Sequence, residues 1–401
     1  MKKYLFVITT AILSQITAFA QGTTTLADTT LPKVDSLAAS KLQVTFLDQE
    51  RVIMNGETLT VSTLDSVRKN IVLFKRKQES QKQYNAGIAA FSQKKSEEAL
   101  QNFSKAIELE ENFARAYINR AVIFLEQQKY EQVVQDIEKA IALELPVNEN
   151  MAYSLATALY QLKQKEKAYT YFKQTTELNP NNASAWYYLG IMDFENAQYE
   201  QALTAFDRTI AANSNLSDAY NDRASTKRIL NKWEDAEKDY NKALELKPNN
   251  PIYLNNRGSV RILLKKYKEA IKDFDAVIAA EPNNHLAYNN KGTALFESGN
   301  YEEAIKIFTK AIELNPKYIY AYNNRASAKF KLNQYKESIE DCNKAIQLDS
   351  KYGYAYLNRG IAKEMIRDFK GACMDWEQAG KLGVKSGANY RSKDCYEEEW
   401  D

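Results

Sequence analysis

The stretch AYNNKGTALFESGNYEEAIKIFTKAIELNP, Ala287 to Pro316, decides the fold, because its pattern returns through most of the 401-residue chain. Between Ser80 and Ser386 it recurs nine times, one unit about every 34 residues. Apolar residues recur at helical spacing within each copy, so the unit reads as a helical hairpin. One hairpin cannot bury its own apolar face and needs a neighbour on each side, so the units must stack.

Numbering each unit so that its two small packing residues fall at positions 8 and 20 makes the register visible. Position 8 holds Gly87, Ala121, Ala156, Gly190, Ala224, Gly258, Gly292, Ala326 and Gly360. Position 20 is Ala throughout except at Val133 and Ser338. Small residues at both sites let two helices approach closely. Position 17 is aromatic in Tyr130, Tyr199, Trp233, Tyr267, Tyr301, Tyr335 and Phe369, and position 24 carries Phe103, Phe172, Phe206, Tyr240, Phe274, Phe308 and Trp376. Pro180, Pro248, Pro282 and Pro316 stand where a second helix must stop. The register slips by one residue between Leu145 and Asn150, which reads as a loop adjustment.

In this pattern the chain resembles the tetratricopeptide repeat family over residues 80–386. The resemblance implies an all-α fold, a right-handed superhelix (α-solenoid) of about nine hairpins. Such stacks present long concave surfaces to protein partners, and few carry catalysis. Composition agrees: 26% of residues are charged and the chain has only 13 Gly and 7 Pro, as in a soluble helical protein.

The flanks read differently. Lys2 and Lys3, an apolar run from Tyr4 to Leu13 and Ala18-Phe19-Ala20 have the layout of a secretory leader over residues 1–20, with Gln21 as the new N-terminus. Export to the periplasm or cell envelope follows, without a lipid anchor, since no Cys succeeds the small residues. No later stretch is apolar enough to span a membrane. Without Lys2 and Lys3 the chain holds 52 basic and 52 acidic residues, and no basic stripe points to nucleic acid. Residues 21–40 read as a disordered tether. Residues 41–79 read as a small module: a β-hairpin turning at Asn55-Gly56, then a helix from about Leu64, capped by Thr63, with Val67, Ile71, Val72 and Phe74 on one side. It would cap the first repeat or serve as a docking element. Residues 387–401 form a tail; a Cys373–Cys395 disulfide would pin it as a cap, leaving Cys342 in a core slot.

Two signals come from comparing repeats with one another. Position 7 is Arg in Arg120, Arg223, Arg257, Arg325 and Arg359, and sixteen residues on each is answered by Asp136, Asp239, Asp273, Asp341 and Asp375. The other four units lack both partners, which marks structural pairs, either inside a hairpin or to the adjoining one. Asparagines form the second signal. In the family, positions 2, 5, 6, 9, 12 and 13 of the first helix point into the concave face. Position 6 holds Asn85, Asn119, Asn256, Asn290, Asn324 and Asn358, and position 5 adds Asn221, Asn255, Asn289 and Asn323. An amide offers donor and acceptor to the backbone of an extended peptide. The row resembles the asparagine ladder of O-linked N-acetylglucosamine transferases. Tyr84, Phe91, Tyr153, Tyr160, Tyr187, Tyr188 and Phe194 make the earlier face aromatic, and Tyr153 and Tyr187 join the expected partner contacts. Position 5 never carries the Lys, nor position 9 the Asn, of a carboxylate clamp.

An enzyme is not expected. The one histidine, His285, has no evident catalytic partner, and no metal spacing, phosphate loop or nucleophile elbow occurs, so no cofactor or metal is expected either. A carboxylate-pair hydrolase is a minor alternative. The chain reads as a non-catalytic adaptor capturing an extended segment of a protein partner. The alternative is a structural subunit of an envelope complex, held through its convex face or N-terminal module.

Overall fold

A computed structural model describes residues 44–46, 51–54, 57–387 and 395. The chain divides into two compact units, residues 1–178 and 179–401. The expected leader, the tether, Asn55 and Gly56 lie outside the described residues, as does all of the tail except Gly387 and Cys395.

In the first unit three short strands, β1 (Val44–Phe46), β2 (Arg51–Met54) and β3 (Glu57–Thr60), run antiparallel in that order, with Thr45 opposite Ile53 and Val52 opposite Leu59. Helix α1 (Val61–Ser92) then continues unbroken for 32 residues. The expected boundary between an N-terminal module and the first repeat at residue 80 is therefore corrected: both share one helix. No Gly or Pro occurs between Val61 and Ala86 to stop it. The expected covering face of this segment is corrected as well, since Val72 and Phe74 stand 65% and 38% exposed. The Val67 and Ile71 side chains lie outside the described residues.

The rest of this unit is α2 (Ser96–Leu109), α3 (Ala114–Glu126), α4 (Tyr130–Ala142), α5 (Glu149–Gln161) and α6 (Lys165–Leu178). The C-terminal half of α1 packs on α2, where the Ser80 hydroxyl donates to the Ala106 carbonyl and Arg76 donates to that of Glu108.

Six hairpins make the second unit. They are α7 (Ala183–Glu195) with α8 (Tyr199–Ala212), α9 (Ser217–Ile229) with α10 (Trp233–Leu246), and α11 (Pro251–Leu263) with α12 (Tyr267–Ala280). Then follow α13 (His285–Glu297) with α14 (Tyr301–Leu314), α15 (Ile319–Lys331) with α16 (Tyr335–Leu348), and α17 (Gly353–Met365) with α18 (Phe369–Lys381).

Local sequence explains the punctuation. Helices α6, α10, α12 and α14 end two residues before Pro180, Pro248, Pro282 and Pro316, because a proline disfavours helix in the residue before it. After three of these prolines an asparagine caps the next helix: Asn182, Asn250 and Asn284 accept from the backbone N–H of Ala185, Tyr253 and Ala287. Inside each hairpin one residue turns left-handed, for example Asn231, Lys265 and Asn333 at φ 58°, 57° and 60°. Only in hairpin seven is that residue a glycine, Gly299.

Each hairpin core is a meeting of positions 8, 20 and 24. A Cβ added to Gly87, Gly190, Gly258 or Gly292 would fall 2.5–2.8 Å from the ring of Phe103, Phe206, Phe274 or Phe308. Gly360 lies equally close to Trp376. These rings are fully buried, so the glycine is what lets them in. The aromatics of position 17 instead sit at the helix starts, half-buried or exposed, and pair with position-12 rings: Phe296–Tyr301 and Phe330–Tyr335 centroids are both 5.4 Å apart.

Candidate functional site

The first helices of neighbouring hairpins in the second unit touch one another, α9 with α11, α11 with α13, α13 with α15 and α15 with α17. Second helices of neighbouring hairpins make no comparable contact among the described residues. The first-helix side is thus the closed side of the stack, and positions 2, 5, 6 and 9 meet there.

The asparagines form a ladder of rungs. Asn256 donates through Nδ2 to Asn221 Oδ1 at 3.0 Å, Asn290 to Asn255 at 2.9 Å, Asn324 to Asn289 at 3.0 Å and Asn358 to Asn323 at 2.9 Å. Position 6 of one hairpin therefore reaches position 5 of the hairpin before it. This divides the expected partner contacts into two classes. Asn221, Asn289 and Asn323 are buried, with Asn255 partly so, and their carbonyls are spent on the neighbour. They hold hairpins together and do not face a ligand, which corrects the expectation for position 5. Asn256, Asn290, Asn324 and Asn358 are half-buried, and among the described residues their Oδ1 atoms accept no hydrogen bond. They remain the atoms that can meet a ligand. Position 9 supports the rungs from below: Ser259, Thr293 and Ser327 donate to the Asn255, Asn289 and Asn323 backbone carbonyls.

Tyr153 and Tyr187, placed by sequence reasoning among the partner contacts, are 8% and 7% exposed. Each ring packs on the position-24 phenylalanine of its own hairpin, Phe172 and Phe206, with centroids 6.0 Å apart in both. They are core residues. Tyr187 also makes a rung, donating to Asp222 Oδ2 at 2.7 Å, while Asn221 Nδ2 donates to Oδ1 at 2.9 Å. Burial pushes the Asp222 carboxyl up to about 6, against the pull of those two donors. One turn earlier, Asp218 accepts from the Tyr253 hydroxyl. In the first unit Asn119 donates to the Tyr84 hydroxyl at 2.9 Å, a rung of the same offset.

The arginine–aspartate pairs join the two helices of a hairpin. Arg223 holds Asp239 side-on, Nε to Oδ2 at 2.8 Å and Nη2 to Oδ1 at 2.6 Å. Arg120–Asp136, Arg257–Asp273, Arg325–Asp341 and Arg359–Asp375 repeat that geometry. The third arm, Nη1, reaches the preceding hairpin at Ser104, Asp207, Asn241, Thr309 or Asn343. The aspartates are nearly buried, and Lys227, Arg261, Lys329 and Lys363 add a second cation to four of them. Fully paired in this way, the clasps are structural.

Cys373 and Cys395 are joined, with Cα atoms 5.8 Å apart. Cys342 is buried, and burial pushes its thiol up to about 12, so it is inert as a nucleophile. Among the described residues there is no cluster that could hold a metal ion, and no helix is long and apolar enough to cross a membrane.

One surface feature escaped sequence reasoning. Position 2 of hairpins six to nine is Ile252, Leu286, Tyr320 and Tyr354, exposed at 44%, 46%, 49% and 57%. The signal was present: these are four large apolar residues in register at a solvent-facing slot.

Family models agree with this architecture. Models described as tetratricopeptide repeat match residues 114–145, 217–250, 252–284, 285–318 and 319–352, and one described as TPR repeat matches 87–128. A model of anaphase-promoting complex subunit 3 matches 137–209. No curated protein significantly matches the sequence. A tetratricopeptide repeat protein from Parabacteroides merdae, 21% identical, covers 61% of this chain and 97% of its own at a TM-score of 0.53. PilW, a type IV pilus biogenesis factor, is 17% identical over 52% of this chain and 97% of its own, TM-score 0.48. Pseudomonas aeruginosa PilF is 19% identical over 53% and 97%, TM-score 0.45. At these identities the likeness speaks to fold alone.

The chain belongs to the tetratricopeptide repeat family. Its fold is that of a protein-interaction scaffold, and no enzyme family is among the matches.

Proposed function

We propose that this chain is an exported, non-catalytic adaptor that captures an extended segment of a partner protein on the concave first-helix side of hairpins six to nine. The observation that carries the reading is the row Asn256, Asn290, Asn324 and Asn358. Each is fixed through its amide nitrogen to the hairpin before it, Asn358 by two hydrogen bonds, and among the described residues each keeps an unused carbonyl. A pre-oriented amide costs little ordering entropy when a peptide backbone arrives. Residues 1–20 act as the leader, 21–40 as the tether, 41–79 as a small N-terminal segment whose helix runs on into the first repeat, and the tail 387–401 as a cap on the last hairpin. The Cys373–Cys395 bridge supports an oxidising compartment such as the periplasm.

A second reading, a structural subunit gripped through the N-terminal segment, draws on the exposure of Val72, Leu73 and Phe74 along α1. Photo-crosslinking residues placed at Asn324 and at Val72 in the native cell separate the two. The adaptor reading expects partner peptides joined at position 324, and weaker capture by the Asn290→Ala/Asn324→Ala variant. Crosslinks at position 72 alone, with capture unchanged in that variant, would show the adaptor reading to be wrong.

A further inference from the structure

Hairpins six to nine carry a second row beside the asparagines. Ile252, Leu286, Tyr320 and Tyr354 at position 2 lie one helical turn from Asn256, Asn290, Asn324 and Asn358, hence on the same helix face. The aromatic part of the row is continuous across hairpins. Centroids of His285 and Tyr318 are 4.9 Å apart, Tyr318 and Tyr320 5.3 Å, Tyr320 and Tyr352 5.4 Å, and Tyr352 and Tyr354 6.1 Å. Tyr318 and Tyr352 occupy the slot where Asn250 and Asn284 cap their helices, and they make no side-chain cap. Half-buried against the core of Tyr322 and Ala355, these two tyrosines link the exposed rings of Tyr320 and Tyr354.

The half of this face that carries the two rows is uncharged: positions 2, 5, 6 and 9 of the four hairpins are Ile, Leu, Tyr, Asn, Ser or Thr, and the charges Glu297, Lys331 and Glu364 come only at positions 12 and 13. A charged segment laid here would lose hydration and meet no counter-charge, so the complementary occupant is neutral. Spacing narrows it further. Packed helices lie about 8–10 Å apart, and a polyproline II chain rises about 9.3 Å in each three-residue turn. One turn of such a chain therefore passes one hairpin. Its backbone makes no internal hydrogen bonds, so its carbonyls and N–H groups are open to the position-6 amides. Aromatic-lined grooves suit proline-rich segments for the same reasons.

We propose that the occupant of this face is an uncharged polyproline II segment of a partner protein, with an apolar residue at every third position seated on Ile252, Leu286, Tyr320 and Tyr354. This rests on the adaptor reading above and names the chemistry of the captured segment.

The test uses the full mature chain and a fluorescein-labelled peptide of four Leu-Pro-Thr triplets, read by anisotropy. A peptide of identical composition without the three-residue period, and one with Thr replaced by Glu, serve as comparisons. The periodic neutral peptide is expected to bind about tenfold tighter than either. Tyr320→Ser/Tyr354→Ser is expected to remove that preference without changing the melting temperature. Equal affinity for the periodic and shuffled peptides, or no binding of either, overturns the proposal. The adaptor reading would still stand on its crosslinks at position 324. Concentration-dependent self-association that disappears in the tyrosine variant would assign the face to a second copy of this chain and also overturn it.

Discussion

Hairpin five and hairpins six to nine build the same rung from opposite chemistry. In the later hairpins an amide meets an amide, both neutral, and neither loses much when water leaves. In hairpin five the position-6 group is Asp222, facing the Tyr187 hydroxyl and the Asn221 amide, with no cation bonded to it among the described residues. The arginine clasps of the two regions are alike, Arg223–Asp239 in one and Arg257–Asp273 in the other. The difference teaches that this scaffold tolerates a charge where it is clasped, and strains where it is merely hydrogen-bonded.

Removing the clasp should be the heaviest blow, and about equal in both regions. Among the described residues, Asp239→Ala takes the carboxylate from Lys227 and leaves Arg223 only the exposed Asp207. Asp273→Ala leaves Arg257 only the neutral Asn241 and Arg261 only Glu237, all four cations having side chains 15–19% exposed. Each is expected to cost about 3–5 kcal/mol in urea unfolding. A loss below about 1 kcal/mol would mean the pairs behave as surface ion pairs.

Converting hairpin five to the later type should come next. The Asp222 carboxyl in the folded chain titrates at about 6, above its ordinary 3.8. Its charge therefore destabilises the fold fully above about pH 6, and the penalty fades as pH falls toward 4. Asp222→Asn is expected to raise stability at pH 8 by on the order of 2 kcal/mol and to change it little at pH 4. Melting curves at both pH values decide this; an equal shift at each would deny the carboxylate its role.

Breaking one neutral rung should matter less. Asn289→Ala leaves the Asn324 amide without its acceptor, at a cost of about 1 kcal/mol. Asn290→Ala removes a donor that leaves only the half-buried Asn255 carbonyl behind, and should cost less. Reversal of that order would place position 6, not position 5, at the centre of the hairpin contact. The smallest effect belongs to the turns: Lys265→Gly, at φ 57°, is expected to stabilise by about 0.5 kcal/mol, since Gly299 already fills the same slot in hairpin seven.

Much of this was legible beforehand because repeats comment on one another. Position 8 is small and position 24 aromatic in most units, and the packing of Gly292 on Phe308 follows from that. The arginine clasps could be read because arginine and aspartate occur together or not at all. The rungs obeyed the same logic: each position-5 asparagine precedes a position-6 asparagine 35 residues on, as Asn255 precedes Asn290. That test, applied between neighbouring units, would have separated the buried row from the half-buried one. Tyr153 and Tyr187 could not be sorted so. A tyrosine on the inner side of a hairpin can serve its own core or a ligand, and only the packing distance to Phe172 or Phe206 decides. The continuity of α1 was hidden because Thr63 offers a plausible cap that the longer helix does not need.

The offsets of clasp and rung carry a last consequence. Both reach one hairpin back by a fixed step, so each hairpin presents to its follower what it receives from its predecessor. Excision of residues 285–318 would bring Asn324 against Asn255 and the third arm of Arg325 against Asp275, each a competent acceptor. Nothing would be orphaned at the seam. Gene duplication and loss can thus add or remove hairpins one notch at a time, with the length of the first-helix face as the quantity that evolves.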